Sequence, residues 1–115
     1  SRSHGHPIAE AAIDSLPVSE RIGVGSAIKF AQIAQGLADV HARWLGTNEW
    51  DTAAGEAVVT AAGGAVIDYD GNPIAYGKRG RAGLKDFTNP GYAVLGAVDR
   101  ERVVEALRAV RATED

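Results

Sequence analysis

Apolar positions along this chain switch between helical and strand periods, and the switches lay out its elements. Ile8 or Ala9, Ala12 or Ile13, and Leu16 recur at helical spacing until Pro17, and Pro7 suits the first position of a helix, so a helix is expected over about 7–16. Arg21-Ile22-Gly23-Val24-Gly25 is a short β-like run, after which Ser26 is a natural N-cap for a helix from Ala27 to Gln35 carrying Phe30, Ile33 and Ala34 on one face. Gly36 stands where a left-handed C-terminal cap belongs. Ala38 to Arg43 then alternates apolar with polar residues, the pattern of a strand covered on one side. The stripe Phe30, Ala34, Leu37, Val40 also allows one helix running on to Arg43. Asp51 to Ala62 reads as an Ala-rich helix stopped by Gly63-Gly64, and its small residues permit close packing. The strand Ala65 to Tyr69 follows, then a tight turn at Asp70-Gly71 and a second strand Ile74 to Tyr76 that Pro73 pushes to a sheet edge. A loop over 77–89, a strand from Tyr92 to Val98, and a helix capped by Asp99 with Val103, Leu107 and Val110 on one face complete the order. Strands alternating with helices predict one α/β domain, a layered mixed β-sheet with flanking helices.

Composition narrows the setting. The 115 residues, 45% hydrophobic, suffice for one modest core and not for two ordinary domains. A net charge of -3 gives no general attraction to nucleic acid or an anionic membrane, so an anion must be met by local chemistry. With no cysteine there is neither a disulfide scaffold nor a thiolate metal site, and a cytoplasmic location is the simpler expectation. No apolar run reaches the ~18 residues of a membrane span. Ser1 to Pro7 is no secretory signal, and the opening without Met, with the first element already under way, leads us to expect a piece of a longer protein.

Two places offer chemistry. Asp51 enters a helix of small residues, where a carboxylate can meet a hard cation, although an Asp in that position is more often simply an N-cap. In Gly25-Ser26-Ala27-Ile28-Lys29 a hydroxyl and an ammonium stand about one turn apart, so both can face one anion at a helix N-terminus; the plainer reading is a Ser cap beside a solvated Lys. If Ala38 to Arg43 is a strand returning beside the preceding helix, Arg43 comes back near Lys29, whereas on one straight helix the two would be ~21 Å apart. A guanidinium suits bidentate phosphate contact, and a surface Arg is the bland alternative. Lys78, Arg79, Arg81 and Lys85 could form an anion-attracting rim, but a solvated loop is the more ordinary reading. His4 and His6 lack a third soft ligand and make a poor zinc site.

Trp50-Asp51-Thr52-Ala53-Ala54-Gly55, with Ala61-Ala62-Gly63-Gly64 closing the same helix, resembles the second signature of the inositol monophosphatase superfamily. Gly25-Ser26-x-x-Lys29 followed by Phe30, Ala34, Gly36, Ala38 and Asp39 resembles its 3′(2′),5′-bisphosphate nucleotidase branch, and Ser1-Arg2-Ser3-His4 is similar to the start of the C-terminal domain in the CysQ-type nucleotidases. Asn89-Pro90 is a further family-like landmark. The chain departs from the branch at His41-Ala42-Arg43-Trp44-Leu45-Gly46, where the family usually has aromatic-Pro-Arg-aromatic-Gly-Pro.

The resemblance implies the C-terminal domain of the inositol monophosphatase-like, or sugar phosphatase, fold. It implies a magnesium-dependent hydrolase that removes the 3′-phosphate of 3′-phosphoadenosine 5′-phosphate to give AMP, placed in sulfur metabolism and inhibited by Li⁺. Asp51 would be a Mg²⁺ ligand, Trp50 a packing residue beside the site, and His4, Ser26, Lys29 and Arg43 contacts to the nucleotide bisphosphate substrate. The family's Glu-Glu and Asp-Pro-Ile-Asp-Gly-Thr segments, which supply the other metal ligands, are not in these residues. One carboxylate cannot complete the octahedral oxygen shell of Mg²⁺, so the isolated chain is expected to be inactive and the N-terminal domain of the same protein becomes its expected partner. A homodimer is compatible with this. An inositol monophosphatase, a sugar bisphosphatase, or a non-catalytic half-domain needing a companion chain are the alternatives.

Overall fold

In the computed structural model of this protein the described residues are 7–16, 28–44 and 47–112. Their elements run α1 (Pro7–Asp14), α2 (Ile28–Ala34), β1 (Val40–Arg43), α3 (Glu49–Ala61), β2 (Ala65–Asp68), β3 (Tyr92–Leu95) and α4 (Arg100–Ala112). The expected run at Arg21 to Gly25, and Ser26 and His4, lie outside the described residues.

Helix ends follow the glycines. After α2, Gly36 takes φ +78°, Leu37 N–H donates to Gln32 C=O at 2.9 Å and Gly36 N–H to Ile33 C=O at 3.1 Å, a Schellman ending. Gly63 repeats it after α3 at φ +91°, with Gly64 N–H donating to Val59 C=O at 2.9 Å and Gly63 N–H to Thr60 C=O at 3.0 Å. The left-handed turn at Gly36 stops the helix and lets the chain return as β1, which decides between the two readings of residues 38–43 in favour of the strand. Helix α4 begins as expected, with Asp99 Oδ1 accepting from Glu101 N–H at 3.1 Å.

The sheet has the order β1-β3-β2. Where a mixed sheet was expected, every pairing among the described residues is antiparallel: Val40 opposes Leu95 and Arg43 opposes Tyr92 on one side, while Ala65 opposes Leu95 and Asp68 opposes Tyr92 on the other. The reason is that β3 enters between β1 and β2. These two strands run in the same direction, joined through α3 like a βαβ unit, but neither bonds the other. The expected strand Ile74 to Tyr76 is also absent. Asp68 N–H donates to Asn72 C=O at 2.8 Å around Gly71, but beyond that only an isolated bridge, Ile67 with Pro73, extends the pairing. Pro73 has no N–H to continue a ladder, and Ile74 turns down into the core instead.

Alternation along the strands divides the core into two layers. Ile67, Ala93 and Leu95 pack with Ala12 of α1 and with Val103, Leu107 and Val110 of α4. Val66, Tyr92 and Val94 pack on the other face with Phe30 and Ile33 of α2 and Val59 of α3. On β1, Val40 and Ala42 side with the first layer, so His41 and Arg43 belong to the α2/α3 face.

Helices α2 and α3 meet where Gly55 faces Phe30: a Cβ at Gly55 would lie 2.5 Å from Phe30 Cγ. The glycine of the signature is thus a packing requirement. Gly55→Ala should destabilise the chain by about 1–2 kcal/mol in urea unfolding, because overpacking outweighs the helix propensity gained. A stabilised variant would contradict so close an approach.

Candidate functional site

The N-terminus of α3 is held by a buried polar cluster. Asn89, 1% exposed, donates from Nδ2 to Asn48 C=O at 2.8 Å and to the hydroxyls of Thr47 and Thr52 at 3.1 Å each, while its N–H donates to Thr47 C=O at 3.0 Å. Thr52 is fully buried, and Thr47 nearly so. Glu49 N–H donates to Phe87 C=O at 2.8 Å, from a Phe87 held at φ +65°. Residues 47–52 are therefore bound to the segment leading into β3.

On this support Asp51 lies in the first turn of α3, three residues beyond the cap Asn48 rather than at the helix start as expected. Asn48 N–H donates to Asp51 Oδ2 at 2.8 Å, and the side chain is exposed. Asp51 thus does serve the helix end, in the reciprocal manner of a capping box, with one oxygen engaged and the carboxylate facing outward. Trp50, expected to pack beside the site, is instead 67% exposed; it points away from the core that Glu49 and Thr52 enter.

Glu49 turns inward. Its Oε1 accepts from Gly77 N–H at 2.6 Å, and its Oε2 accepts from Lys78 N–H at 3.0 Å and pairs with Lys78 Nζ at 3.0 Å. Desolvation alone would raise this carboxyl, but the two backbone donors and the Lys78 ammonium hold it down at about 2. Lys78 is therefore part of the scaffold and not solvated. Arg81 is also tied in, donating to Thr88 C=O at 3.0 Å, whereas Arg79 and Lys85 are exposed as the ordinary reading of this loop expected.

Lys29 and Arg43 do come together. Lys29 is 7% exposed, and its ammonium is lowered from its ordinary value by burial and then by the Arg43 charge. The plainer expectation of a solvated Lys29 is therefore corrected: the first turn of α2 lays it against the sheet. Between these cations His41, its ring edge-on to Tyr92 at 6.2 Å, is lowered to about 3 by burial and by the charges of Lys29 and Arg43. Tyr92 is 3% exposed, stands opposite Arg43 and lies 6.1 Å from the Phe30 ring. Burial raises its hydroxyl, with the Asp51 charge acting in the same sense and Arg43 in the other. Lys29, His41, Arg43 and Tyr92 thus form a cationic face that reaches the flank of Asp51.

Thr47, Asn89, His41 and Tyr92 were not among the candidates read from the sequence. The period-two pattern places His41 on the same face as Arg43 and could have found it; the others become neighbours only when β3 docks. No group of three or more His, Cys, Asp or Glu side chains able to hold a metal occurs among the described residues. Asp51 offers the hard oxygen that Mg²⁺ prefers, and so fits as one ligand of a site completed by others.

A layered α/β domain with a cationic sheet face beside an outward aspartate is the class this geometry defines. The inositol monophosphatase family model matches residues 2–105, and the chain belongs to that family. An uncharacterized protein in the pss 5′ region of Rhizobium leguminosarum bv. phaseoli is 50% identical over 82 residues, 71% of this chain and 84% of its own. The 3′(2′),5′-bisphosphate nucleotidase CysQ of Escherichia coli K12 is 39% identical over 94 residues, 82% of this chain. The crystal structure of CysQ from Bacteroides thetaiotaomicron, described as a bacterial member of the inositol monophosphatase family, superimposes with a TM-score of 0.68 at 37% identity over 85% of this chain. The chain spans 36% of the length of each of these two CysQ proteins.

His41 generates a pH prediction. Its folded value near 3 lies below its ordinary 6.5, so between those values the unfolded chain binds a proton that the folded chain refuses, and stability is lost as pH falls below about 6.5. Urea midpoints at pH 7 and pH 5 should show a smaller acid loss in His41→Gln than in the parent; superimposable pH profiles would refute the assignment.

Proposed function

We propose that this chain is the substrate-binding, C-terminal domain of a magnesium-dependent phosphomonoester hydrolase acting on 3′-phosphoadenosine 5′-phosphate, with AMP and phosphate as products. The observation that carries the reading is the convergence of Lys29 and Arg43 on one sheet face, next to the aspartate of α3. A guanidinium and a buried ammonium near one another suit a phosphate, to which both can donate charge-assisted hydrogen bonds. The CysQ relatives, named for a bisphosphate nucleotidase, support a nucleotide carrying a second phosphate. His4 and Ser26 join the proposed substrate contacts on resemblance alone.

Asp51 would hold Mg²⁺ through its outward carboxylate, and when bound the metal would supply an activated water and charge stabilisation at the phosphate. The remaining ligands would come from an N-terminal domain, either of the same protein or of a companion chain. The outer face of α3 fits such a partner. Trp50 and Val58, 67% and 52% exposed, share that face with the exposed Ala53, Ala54, Ala57 and Ala61, and Leu37 beyond the end of α2 is 64% exposed. A helix apolar on its outer as well as its inner side is ordinarily buried on both.

Joined to the family's N-terminal domain, the chain should release phosphate from 3′-phosphoadenosine 5′-phosphate in preference to inositol phosphate, and only with Mg²⁺. Asp51→Asn should abolish turnover. Lys29→Gln and Arg43→Gln should each raise KM by about tenfold or more, the worth of a hydrogen bond to a charged group. Preference for inositol phosphate would overturn the substrate assignment, and turnover by the chain alone would overturn the shared site.

A further inference from the structure

The loop after Tyr76 is fastened to one side of α3, and most of the fastenings converge on Glu49. Tyr76 Oη donates to Glu56 Oε2 and lies 3.2 Å from Thr52 Oγ1. About two turns nearer the helix start on the same side, the 8%-exposed Glu49 accepts from Gly77 N–H at 2.6 Å and from Lys78 N–H at 3.0 Å, and Lys78 Nζ closes on it at 3.0 Å. The returning end of the loop meets the same residue. Phe87 N–H donates to Lys78 C=O at 2.8 Å, and Phe87 C=O accepts from Glu49 N–H at 2.8 Å. Thr52 Oγ1 donates to Glu49 C=O at 3.2 Å. Glu49 is thus bound through its N–H, its C=O and both carboxylate oxygens. In the same turn the Asp51 carboxylate holds one hydrogen bond among the described residues, from Asn48 N–H. Where that carboxylate lies therefore follows the turn that Glu49 anchors. An apolar residue at position 49 would close the loop at a smaller desolvation cost, but apolar contact is non-directional, whereas charge-assisted hydrogen bonds fix distance and angle.

We propose that Glu49 is a positioning residue for the metal ligand. By binding both ends of the loop it sets the depth and rotation of the first turn of α3, and with them the place from which Asp51 presents its carboxylate to a divalent cation. The proposal rests on the reading of Asp51 as a Mg²⁺ ligand and adds to it the residue that directs the ligand. Glu49 acts through that turn and not on the cation, since donors already occupy both of its oxygens. Asn89 secures the same turn from the β3 side, through Asn48 C=O and Thr52, and Glu49 secures it from the loop.

The test measures Mn²⁺ binding by electron paramagnetic resonance in the chain joined to the family's N-terminal domain, because Mn²⁺ is a hard cation that takes the same oxygen ligands. Asp51→Asn should remove a Mn²⁺ site. Glu49→Gln keeps the shape of the side chain but turns an amide N–H₂ towards other donors and leaves Lys78 without its anion. Mn²⁺ binding should then weaken about tenfold, the worth of one hydrogen bond to a charged group. At saturating metal the KM for the nucleotide should stay at the parent value. Tyr76→Phe loosens the loop at Glu56 and leaves every bond of Glu49 in place, so it should lower the urea midpoint without weakening Mn²⁺ binding. That comparison separates direction of the ligand from stability alone. If Glu49→Gln does not fold, Lys78→Met decides: it keeps both backbone bonds and should weaken Mn²⁺ binding by about threefold. Parental Mn²⁺ affinity in a folded Glu49→Gln, or in Lys78→Met where that variant decides, would overturn the role of Glu49, as would equal losses in Glu49→Gln and Tyr76→Phe. Parental affinity in Asp51→Asn would instead overturn the metal reading on which the proposal rests.

Discussion

The buried amide of Asn89 is the constraint on which the site depends. Its two Nδ2 hydrogens are shared among three oxygens at the start of helix α3, Asn48 C=O and the hydroxyls of Thr47 and Thr52. Because only Pro90 and Gly91 separate Asn89 from β3, the same amide ties the central strand to the helix that carries Asp51. The orientation of the aspartate is therefore set by a residue about 40 positions away in the chain.

The electrostatics divide along the same boundary. Glu49 and Lys78 form a partly buried pair whose charges are met within the scaffold, closing the loop after Tyr76 against α3. Lys29 and Arg43 are brought together as like charges, and the depression of Lys29 by burial and by Arg43 records the cost of that arrangement. His41 adds to this by staying neutral, so that a third charge is not forced onto the face.

Much of this was readable in advance, for physical reasons that differ from residue to residue. Helices α1, α2 and α4 announced their buried faces because 3.6-residue periodicity is a local property, and the glycine stops at Gly36 and Gly63 were legible because few other residues take a positive φ at a helix end. The strand reading of residues 38–43 already places Arg43 back towards Lys29. What failed was non-local. That β3 would enter between β1 and β2, turning a mixed sheet into an antiparallel one, depends on pairings between segments tens of residues apart, as does the meeting of Thr47 with Asn89. Trp50 misled for another reason: a large apolar side chain is expected to pack, and within these residues it does not.

The contrast between Glu49 and Asp51 shows why only one acidic residue of this segment is a candidate metal ligand. Two positions on a helix are about 200° apart in rotation, so if one carboxylate faces the core the other must face away from it. Glu49 faces the loop and is saturated by Gly77 N–H, Lys78 N–H and the Lys78 ammonium. An additional cation there would have to displace donors already within hydrogen-bond distance. Asp51 gives one oxygen to Asn48 N–H and directs the carboxylate outward on the side that Trp50 also exposes. An outward carboxylate and an unburied tryptophan therefore stand at adjacent positions of one helix. The outward carboxylate and the exposed tryptophan are thus two outcomes of the same helical phase, which Asn89 holds in place.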